Sequence, residues 1–399
     1  MNFRTIGIVA IFVLLLYLGL SFGIYNTLSK NMLGANDFYS RWVCARALVL
    51  RGENPYSDAV TREIQLGMYG HLVRPDEDQV AFAYPLYAAF IALPFIAFDY
   101  SQAQAMWMAL LILLATIGVL FLARLNSISL SPIILGLFLL GTLAFYPAVR
   151  AIFMGQYALV SFFFIVLACL AVQKQFDWAA GIFLAVSTMK PQPVILLVPV
   201  IVLWAVYQRR WRIAVGAVGG MIVLIGLSLL LLPTWVFDFV QAIRKYAEYE
   251  PVGPPVQILF ELWLPDMFRL PMTLLFGALL LSWVIWQVAH LLRRSWSDFL
   301  PALSLVAIVS TWINGRMGSS DQVLLFIPWG VWLGDWIARR QIAAAVILSV
   351  LFIVLPWMVF LATVRGNAEH VVVSLVLPML MLVMYLGHPL VGQKNKTHE

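Results

Sequence analysis

The sequence predicts an all-α polytopic membrane protein. Hydrophobic residues make up 63% of the 399 residues and charged residues only 11%, whereas soluble domains carry roughly 25% charged residues. Apolar runs recur along the chain, and a helix of roughly 20 such residues spans the hydrocarbon core of a bilayer. The strands of a membrane β-barrel would alternate apolar and polar residues instead. The composition therefore excludes a soluble enzyme, a disordered chain and a barrel.

About twelve apolar segments are predicted to span the membrane within one transmembrane domain, residues 1–399. We expect the first to be a retained helix rather than a cleaved signal, since no small-x-small site follows it. Two short segments flank Lys190-Pro191, and we expect either incomplete crossings or a locally thinned bilayer there. The segments are 6–27, 105–123, 130–148, 158–172, 178–188, 193–207, 213–232, 270–292, 299–314, 323–337, 342–364 and 371–389.

The topology depends on whether segment 82–98, which has Pro94 in its interior, crosses the membrane. If it does not cross, the inner segments hold twelve Lys and Arg against four acidic residues, and the outer segments hold thirteen against fifteen. Basic residues concentrate on the cytoplasmic side. We therefore predict a re-entrant 82–98, cytoplasmic termini and two large extracytoplasmic loops, 28–104 and 233–269. The formal charge of +6 is then explained without a nucleic-acid partner.

The first outer loop opens with a predicted interfacial helix. Its apolar face carries Phe38, Trp42, Ala45 and Val49, its other faces carry Arg41, Arg46 and Arg51, and Gly52, Asn54 and Pro55 end it. Asp37, at the start, has two interpretations. It is either an N-cap that also pairs with Arg41, or a carboxylate at the lipid headgroup level that acts as a general base.

Three later outer turns carry further candidate residues. Arg150 precedes Gly155-Gln156-Tyr157, and Lys190 opens Lys190-Pro191-Gln192-Pro193. Lys190 either extends to the headgroups or contacts a phosphate. In the turn 314–322, Arg316 either clamps a phosphate or forms a salt bridge with Asp321. Asp321 could also orient Arg316 or bind a sugar hydroxyl.

Two other clusters are less specific. Asp76-Glu77-Asp78 could bind a hard cation, but acidic runs on loops are usually solvated, and we expect no metal or cofactor. The stretch from Phe237 to Tyr249 places aromatic residues beside carboxylates, which suits a carbohydrate surface but also an ordinary interfacial helix. The absence of a phosphate-binding glycine motif argues against a nucleotide-driven mechanism.

Several motifs, taken in order, resemble those of a known family. They are Asp37-Phe38-Tyr39, Arg51-Gly52-Glu53-Asn54-Pro55-Tyr56, Tyr84-Pro85-Leu86, Gly155-Gln156-Tyr157 and Lys190-Pro191-Gln192-Pro193. The chain resembles the C-type (GT-C) membrane glycosyltransferases, and within them family 87, the polyprenyl-phosphate-mannose-dependent mannosyltransferases that include the phosphatidylinositol-mannoside enzymes. Two departures stand out. Tyr157 replaces an Asn of the family pattern, and a late outer loop that carries histidine in the family here holds Arg316, Ser319, Ser320 and Asp321.

The resemblance implies a GT-C-like fold and an inverting transfer of a sugar, mannose first, from a polyprenyl-phosphate donor to a lipid or glycan acceptor. Asp37 would be the catalytic base. Lys190, Arg316 and Arg150 are assigned to the donor phosphate, and Tyr39, Arg41, Gln156, Tyr157, Gln192 and Asp321 to the sugar or acceptor. The expected site is the extracytoplasmic face of a prokaryotic plasma membrane.

Two alternatives from other functional classes remain. A transporter or flippase of lipid-linked sugars would use the same spans, with its polar residues near the bilayer midplane. A polytopic scaffold would recruit other envelope proteins. The clustering of polar candidates at outer turns favours the transferase.

Overall fold

The computed structural model describes residues 3–32, 36–74, 77–129, 131–249, 253–315, 318–366 and 369–387. Two of the candidates named above, Asp76 and Arg316, lie outside these residues. Helices dominate the described chain, which confirms the all-α class. The chain forms two compact units, one of residues 1–115, 150–157 and 222–251, the other of residues 116–149, 158–221 and 252–399.

The described residues form eighteen α-helices, with two π-helical turns and two 3₁₀ helices between them. The π-helical turns Tyr25–Ser29 and Ala47–Arg51 extend α1 and α2, and the 3₁₀ helices are Leu86–Phe95 and Ser319–Leu325. The α-helices are α1 Phe3–Ile24, α2 Asn36–Arg46, α3 Asp58–Tyr69, α4 Tyr100–Leu125, α5 Pro132–Ala144, α6 Tyr146–Phe153, α7 Ala158–Gln173, α8 Asp177–Ser187, α9 Pro191–Val194, α10 Leu197–Tyr207, α11 Trp211–Leu231, α12 Trp235–Tyr249, α13 Pro255–Trp263, α14 Asp266–Leu291, α15 Trp296–Ile313, α16 Phe326–Ala338, α17 Ile342–Thr363 and α18 Val373–Gly387.

Six helices of the described chain are long and apolar enough to cross a membrane. They are Arg4–Ser29, Tyr100–Leu125, Trp211–Leu231, Asp266–Leu291, Trp296–Ile313 and Ile342–Thr363. Helices α5 and α6 would make a seventh span if they are counted together, although they are bent by 60°. The bend falls beside Pro147, whose ring cannot fit a continuous helix.

Five further apolar helices have 10–17 residues. Helix α8, with 11 residues, rises only about 17 Å, which fits either alternative expected beside Lys190-Pro191, an incomplete crossing or a locally thinned bilayer. The chain is thus an integral membrane protein by composition and helix length, while the number twelve stays a prediction.

Segment 82–98 contains the ten-residue 3₁₀ helix Leu86–Phe95. At about 2 Å per residue this helix is about 20 Å long, shorter than the roughly 30 Å hydrocarbon core. Two side chains of the α2 region hold its end. The Trp42 indole donates to the Phe95 carbonyl at 3.1 Å, and the Arg46 guanidinium donates to the Ile96 carbonyl at 2.9 Å. The re-entrant path of this segment stays a prediction.

The first unit is built around α2, which lies against Leu86–Phe95 and α3. Helix α2 and its π-helical turn end at Gly52, whose φ of 66° is a left-handed conformation that favours glycine. Helix α3 begins after Ser57, whose hydroxyl accepts a hydrogen bond from the Val60 amide at 3.3 Å. The predicted end of the first-loop helix at Gly52 is therefore confirmed.

The second unit is centred on α15, most of whose residues are buried. Trp312 of this helix is fully buried, and its indole donates to the Pro378 carbonyl at 3.2 Å. Helices α8 and α11 approach closely at Gly181, where an added Cβ would lie 2.3 Å from the Ile213 carbonyl oxygen. Small residues permit such close backbone contact in membrane helices.

Candidate active site

Asp37 lies in the first turn of α2 and is half-buried. Its carboxylate accepts a hydrogen bond from the side-chain amide of Gln156, which is 9% exposed and lies 119 positions further along the chain. Asp37 is the second residue of α2, so it lies inside the helix rather than at the N-cap. Its partner is a neutral amide, which orients the carboxylate without neutralising it.

The turn that carries Gln156 is fixed by one aromatic ring. Gly155 has a φ of 66°, and its carbonyl accepts a hydrogen bond from the Trp107 indole at 3.0 Å. The Trp107 ring in turn stacks on Phe38, with centroids 4.7 Å apart and planes at 5°. Because Phe38 directly follows Asp37, the same ring positions both the turn and the start of α2. The Asp37 carboxylate and the Gln156 amide are therefore held in position to form their hydrogen bond.

Arg41 is the second charged residue beside Asp37, and it is only 3% exposed. Its guanidinium carbon lies 4.3 Å from the Tyr84 ring centroid and 5.0 Å from that of Tyr157, and its Nη1 donates to the Asp37 carbonyl. Burial opposes the charged form, but Tyr84, Asp37 and Tyr157 outweigh it, so the pKa of Arg41 is raised. A permanent positive charge thus lies one helical turn from Asp37.

The placement of Arg41 corrects the sequence interpretation of α2. Arg41 was expected on a face away from the apolar side chains, together with Arg46 and Arg51. Arg51 does lie at the surface, where it pairs with Glu53 and Glu63 at 2.8 and 2.6 Å. Arg41 is buried because two aromatic faces replace part of its hydration, which a helical wheel of α2 alone does not show.

Tyr39 and Tyr157, both assigned to the sugar or acceptor, lie in the same unit as Asp37. The Tyr39 ring packs edge-on against Tyr100 at 4.6 Å. Tyr157 is fully buried, and its hydroxyl makes no hydrogen bond within the described residues. Burial raises the pKa of the Tyr157 hydroxyl, which therefore stays protonated. It is a buried donor with no acceptor among the described residues.

Arg150 lies in the last turn of α6 and is half-buried. It belongs to the first unit together with Asp37 and Arg41. Its assignment to a donor phosphate stays a prediction.

In the second unit, Lys190 forms a salt bridge with Asp321, and the two residues are 5% and 2% exposed. The sequence interpretation treated them separately, Lys190 as a headgroup or phosphate contact and Asp321 as a partner of Arg316. A buried ammonium group needs a counter-charge because desolvation is costly, and Asp321 supplies it. Their roles toward phosphate and sugar stay predictions.

The turn after Lys190 is tied to the end of α15. Asn314 donates through its amide to the Gln192 carbonyl, and the Ser310 hydroxyl donates to the Pro193 carbonyl at 3.2 Å. The side-chain oxygen of Gln192 is buried without a hydrogen bond among the described residues. Like the Tyr157 hydroxyl, it is a buried polar atom whose cost falls once a ligand bonds it.

The acidic run of the first loop is engaged in local contacts where it is described. Glu77 pairs with Arg74 at 3.1 Å, and the Asp78 carboxylate accepts a hydrogen bond from the Val80 amide at 2.9 Å. Within the described ranges, no group of three or more His, Cys, Asp or Glu is arranged to hold a metal ion. The expectation of a metal-free protein stays a prediction.

Two residues of the Asp37 region were not selected as site residues. Tyr84 appeared only as part of the Tyr84-Pro85-Leu86 motif, which was the available signal. Trp107 lies inside the apolar run of α4. In such a run the sequence does not distinguish an aromatic residue that packs against the site from one that faces lipid. Its role depends on a contact with Gly155 that no local pattern reports.

Comparison with protein families identifies a matching family model. A family model described as glycosyltransferase family 87 matches residues 82–314, more than half of the chain. The matched region includes Arg150, Gln156, Tyr157, Lys190 and Gln192, while Asp37 precedes it. No curated protein matches the chain.

Proposed function

Because the chain belongs to glycosyltransferase family 87, we propose that it is an inverting membrane transferase that uses a polyprenyl-phosphate sugar as donor. Mannose is the first donor sugar to test, and a lipid or glycan supplies the acceptor hydroxyl. The hydrogen bond between the Asp37 carboxylate and Gln156 carries the proposal, because it joins the acidic motif of the first loop to the Gly155-Gln156-Tyr157 turn.

In the proposed reaction, Asp37 takes the proton of the acceptor hydroxyl while that oxygen attacks the anomeric carbon. The bond from the anomeric carbon to the phosphate oxygen breaks, and the lipid phosphate leaves. One displacement inverts the anomeric configuration. Positioned general bases contribute about 10²–10⁴-fold to rate, and Gln156 would hold this one in its orientation.

Positive side chains would stabilise the leaving phosphate, which is an electrostatic role. Arg150, Lys190 and Arg316 are the proposed contributors, and Arg41 adds a fixed charge near the base. Lys190 would have to share or exchange its bond with Asp321 to contact the phosphate. Since these cations can neutralise a lipid monophosphate, the proposal requires no metal.

The proposed location is a prokaryotic plasma membrane with cytoplasmic termini and the site on the extracytoplasmic face. The excess of Lys and Arg in the predicted inner loops supports this orientation. Reporter fusions at both termini test it. An extracytoplasmic signal from either terminus would contradict it.

The decisive experiment compares wild type with Asp37→Asn in nanodiscs. Polyprenyl-phosphate mannose is supplied with a lipid-extract acceptor, followed by the glucose and arabinose donors. We expect the variant to lose at least about 100-fold in transfer and to retain donor binding. The product of the wild type should have the inverted anomeric configuration.

Asp266→Asn is the matched control, because Asp266 is 88% exposed and pairs with Arg269 one turn away. It should transfer at the wild-type rate. Undiminished transfer by Asp37→Asn would remove Asp37 from the mechanism. Equal movement of lipid-linked sugar across the bilayer by wild type and Asp37→Asn, with no transfer product, would favour a transporter.

A further inference from the structure

The first unit contains a cavity of about 360 Å³ between α3, the chain from Gln79 to Phe82 and α12. Small-molecule sites commonly occupy about 300–1,000 Å³, so the volume suits a small ligand. We call it the α3–α12 cavity. None of the residues assigned above to the donor or acceptor lines it.

The lining of the α3–α12 cavity combines polar side chains with aromatic rings. Asp58, Asp238 and Glu248 offer carboxylate oxygens, while Gln241 and Thr61 both donate and accept hydrogen bonds. This mixture matches hydroxyl groups, which also both donate and accept.

Three rings complete the lining, those of Tyr56, Phe82 and Tyr249. The faces of Tyr56 and Tyr249 suit the C–H face of a sugar ring, whereas Phe82 is only 1% exposed and packs against Tyr56. Planar polar groups beside aromatic faces are a combination that suits saccharide binding. Polar groups alone or aromatic faces alone would not indicate a saccharide site.

The charge of the cavity argues against the donor phosphate as its ligand. Among the described lining residues are three carboxylates and one cation, Lys245, which lies 3.6 Å from Asp58. Bringing a phosphate to this surface would place like charges together, which is costly. No group of three or more His, Cys, Asp or Glu in the described residues fits a metal ion either. A neutral polyol brings no like charge to these carboxylates, and its hydroxyl groups match the polar lining.

Helix α12 separates the cavity from an apolar surface. Val236, Phe237, Val240 and Ile243 form its other face and are 46%, 66%, 41% and 44% exposed, whereas Asp238, Gln241 and Glu248 face the cavity. A helix of this kind lies in the membrane interface with its apolar face in lipid. The polar face then holds the cavity at the level of lipid headgroups.

A chain of contacts joins the cavity wall to Asp37. The Tyr56 hydroxyl donates to the Tyr84 carbonyl at 2.7 Å, the Tyr84 ring lies under Arg41, and Arg41 donates to the Asp37 carbonyl. The Phe82 ring contacts both tyrosines, at centroid distances of 5.3 and 6.1 Å. The cavity is therefore built from the same aromatic layer as the surroundings of the base.

We infer that the α3–α12 cavity binds a saccharide part of the acceptor, away from the hydroxyl that reacts. The identification of this saccharide as part of the acceptor rests on the proposed function. Binding of a saccharide in the cavity does not depend on catalysis. Binding that is equal in ground and transition states lowers KM without changing kcat. The cavity should therefore set acceptor affinity.

The direct test is saturation-transfer NMR on the full-length protein in nanodiscs. The probes are methyl glycosides of mannose, glucose and arabinose, and the octyl glycosides of the same sugars. We expect ring protons of at least one sugar to receive saturation from the protein. Gln241→Ala combined with Glu248→Gln should abolish that signal, because the double variant alters two polar groups that line the cavity. Both side chains lie at the open surface of α12, so the substitutions should leave the fold intact.

Gln102→Ala is the matched control, an exposed glutamine of α4 that does not line the cavity. Its saturation pattern should equal that of wild type. A response to the octyl glycosides alone would identify a glycolipid headgroup as the ligand, and a response to the methyl glycosides as well would identify a free glycan. Saturation that persists in the double variant, or no saturation from any probe, would overturn the inference.

The kinetic test follows once a donor and an acceptor are known. Gln241→Ala should raise the acceptor KM about tenfold, with kcat and donor KM near wild type. Unchanged acceptor KM would contradict the inference even if transfer is established. Conversely, saccharide binding without any transfer in wild type would retain the cavity and reject the proposed function.

Discussion

In the first unit, the carboxylate of Asp37 is bonded to an amide, whereas in the second unit the carboxylate of Asp321 is bonded to an ammonium group. The Asp37 carboxylate accepts its hydrogen bond from the neutral side-chain amide of Gln156. Asp321 and Lys190 cancel each other in a site that is almost closed to solvent. The difference teaches that burial of an acidic residue does not by itself mark it as a candidate base, because a buried cation such as Lys190 can hold its carboxylate.

The largest expected effect comes from breaking the Lys190–Asp321 pair. Lys190→Met leaves Asp321 buried without its counter-charge, and we expect a loss of about 3–5 kcal/mol in stability. Lys190→Met with Asp321→Leu should recover most of it. Thermal unfolding in detergent, followed by tryptophan fluorescence, measures both. Lys245→Met is the control, since its exposed pair with Asp58 is worth at most about 1 kcal/mol.

If Lys190→Met melts like wild type, the pair is not structural, and the contrast with Asp37 is lost. A double variant no more stable than Lys190→Met would show that the position requires charge rather than neutrality.

The next effect concerns the amide that orients Asp37. Gln156→Leu removes the hydrogen-bond donor to Asp37. We expect the rate of sugar transfer to fall about tenfold to a hundredfold, because the carboxylate is no longer held in the orientation that a general base needs. Gln156→Glu places a second carboxylate beside Asp37 and opposes ionisation of the pair. The rise of rate with pH should then move to higher pH. A rate loss without that movement would make Gln156 a packing residue only.

A smaller effect is expected at the Tyr157 hydroxyl, which makes no hydrogen bond in the described chain. Tyr157→Phe should leave stability within about 0.5 kcal/mol of wild type, since no protein bond is lost. The KM for donor or acceptor should rise several-fold if the hydroxyl binds substrate. A large loss in melting temperature would reveal a structural bond instead.

The smallest effect tests whether the first unit opens. Cys44 is fully buried in α2, and burial raises the pKa of its thiol despite the opposing charge of Arg41. Because the thiolate is the reactive form, maleimide should not label Cys44 at pH 7 in a Cys169→Ala background. Unfolding should permit complete labelling. Labelling of the folded protein would show that α2 separates from its neighbours, so Asp37 would not be held rigidly.

The helical class and the centre around Asp37 could be predicted from sequence because both rest on local signals. Apolar runs identify the long helices, and short motifs identified Asp37 and Gln156. The twelve-span count stays a prediction, since α8 and α10 have only 11 residues each. Length alone cannot tell an incomplete crossing from a buried helix.

The Lys190–Asp321 pair and the burial of Arg41 could not be predicted. Each depends on which side chains from distant segments meet. Arg41 needs Tyr84 and Tyr157 on its two sides, and Lys190 needs the 3₁₀ helix Ser319–Leu325. Periodicity describes one element at a time, so it placed Arg41 only off the apolar face of its own helix and gave Asp321 a different partner.

The first unit is assembled from three separate stretches of chain, and this has a consequence for biosynthesis. The bond that orients Asp37 cannot form until Gln156 has been made, when α1, α4 and α5 already exist. Contacts of such large sequence separation form slowly, after local structure. A nascent chain released before residue 156 would therefore carry the acidic helix without the residue that sets its direction.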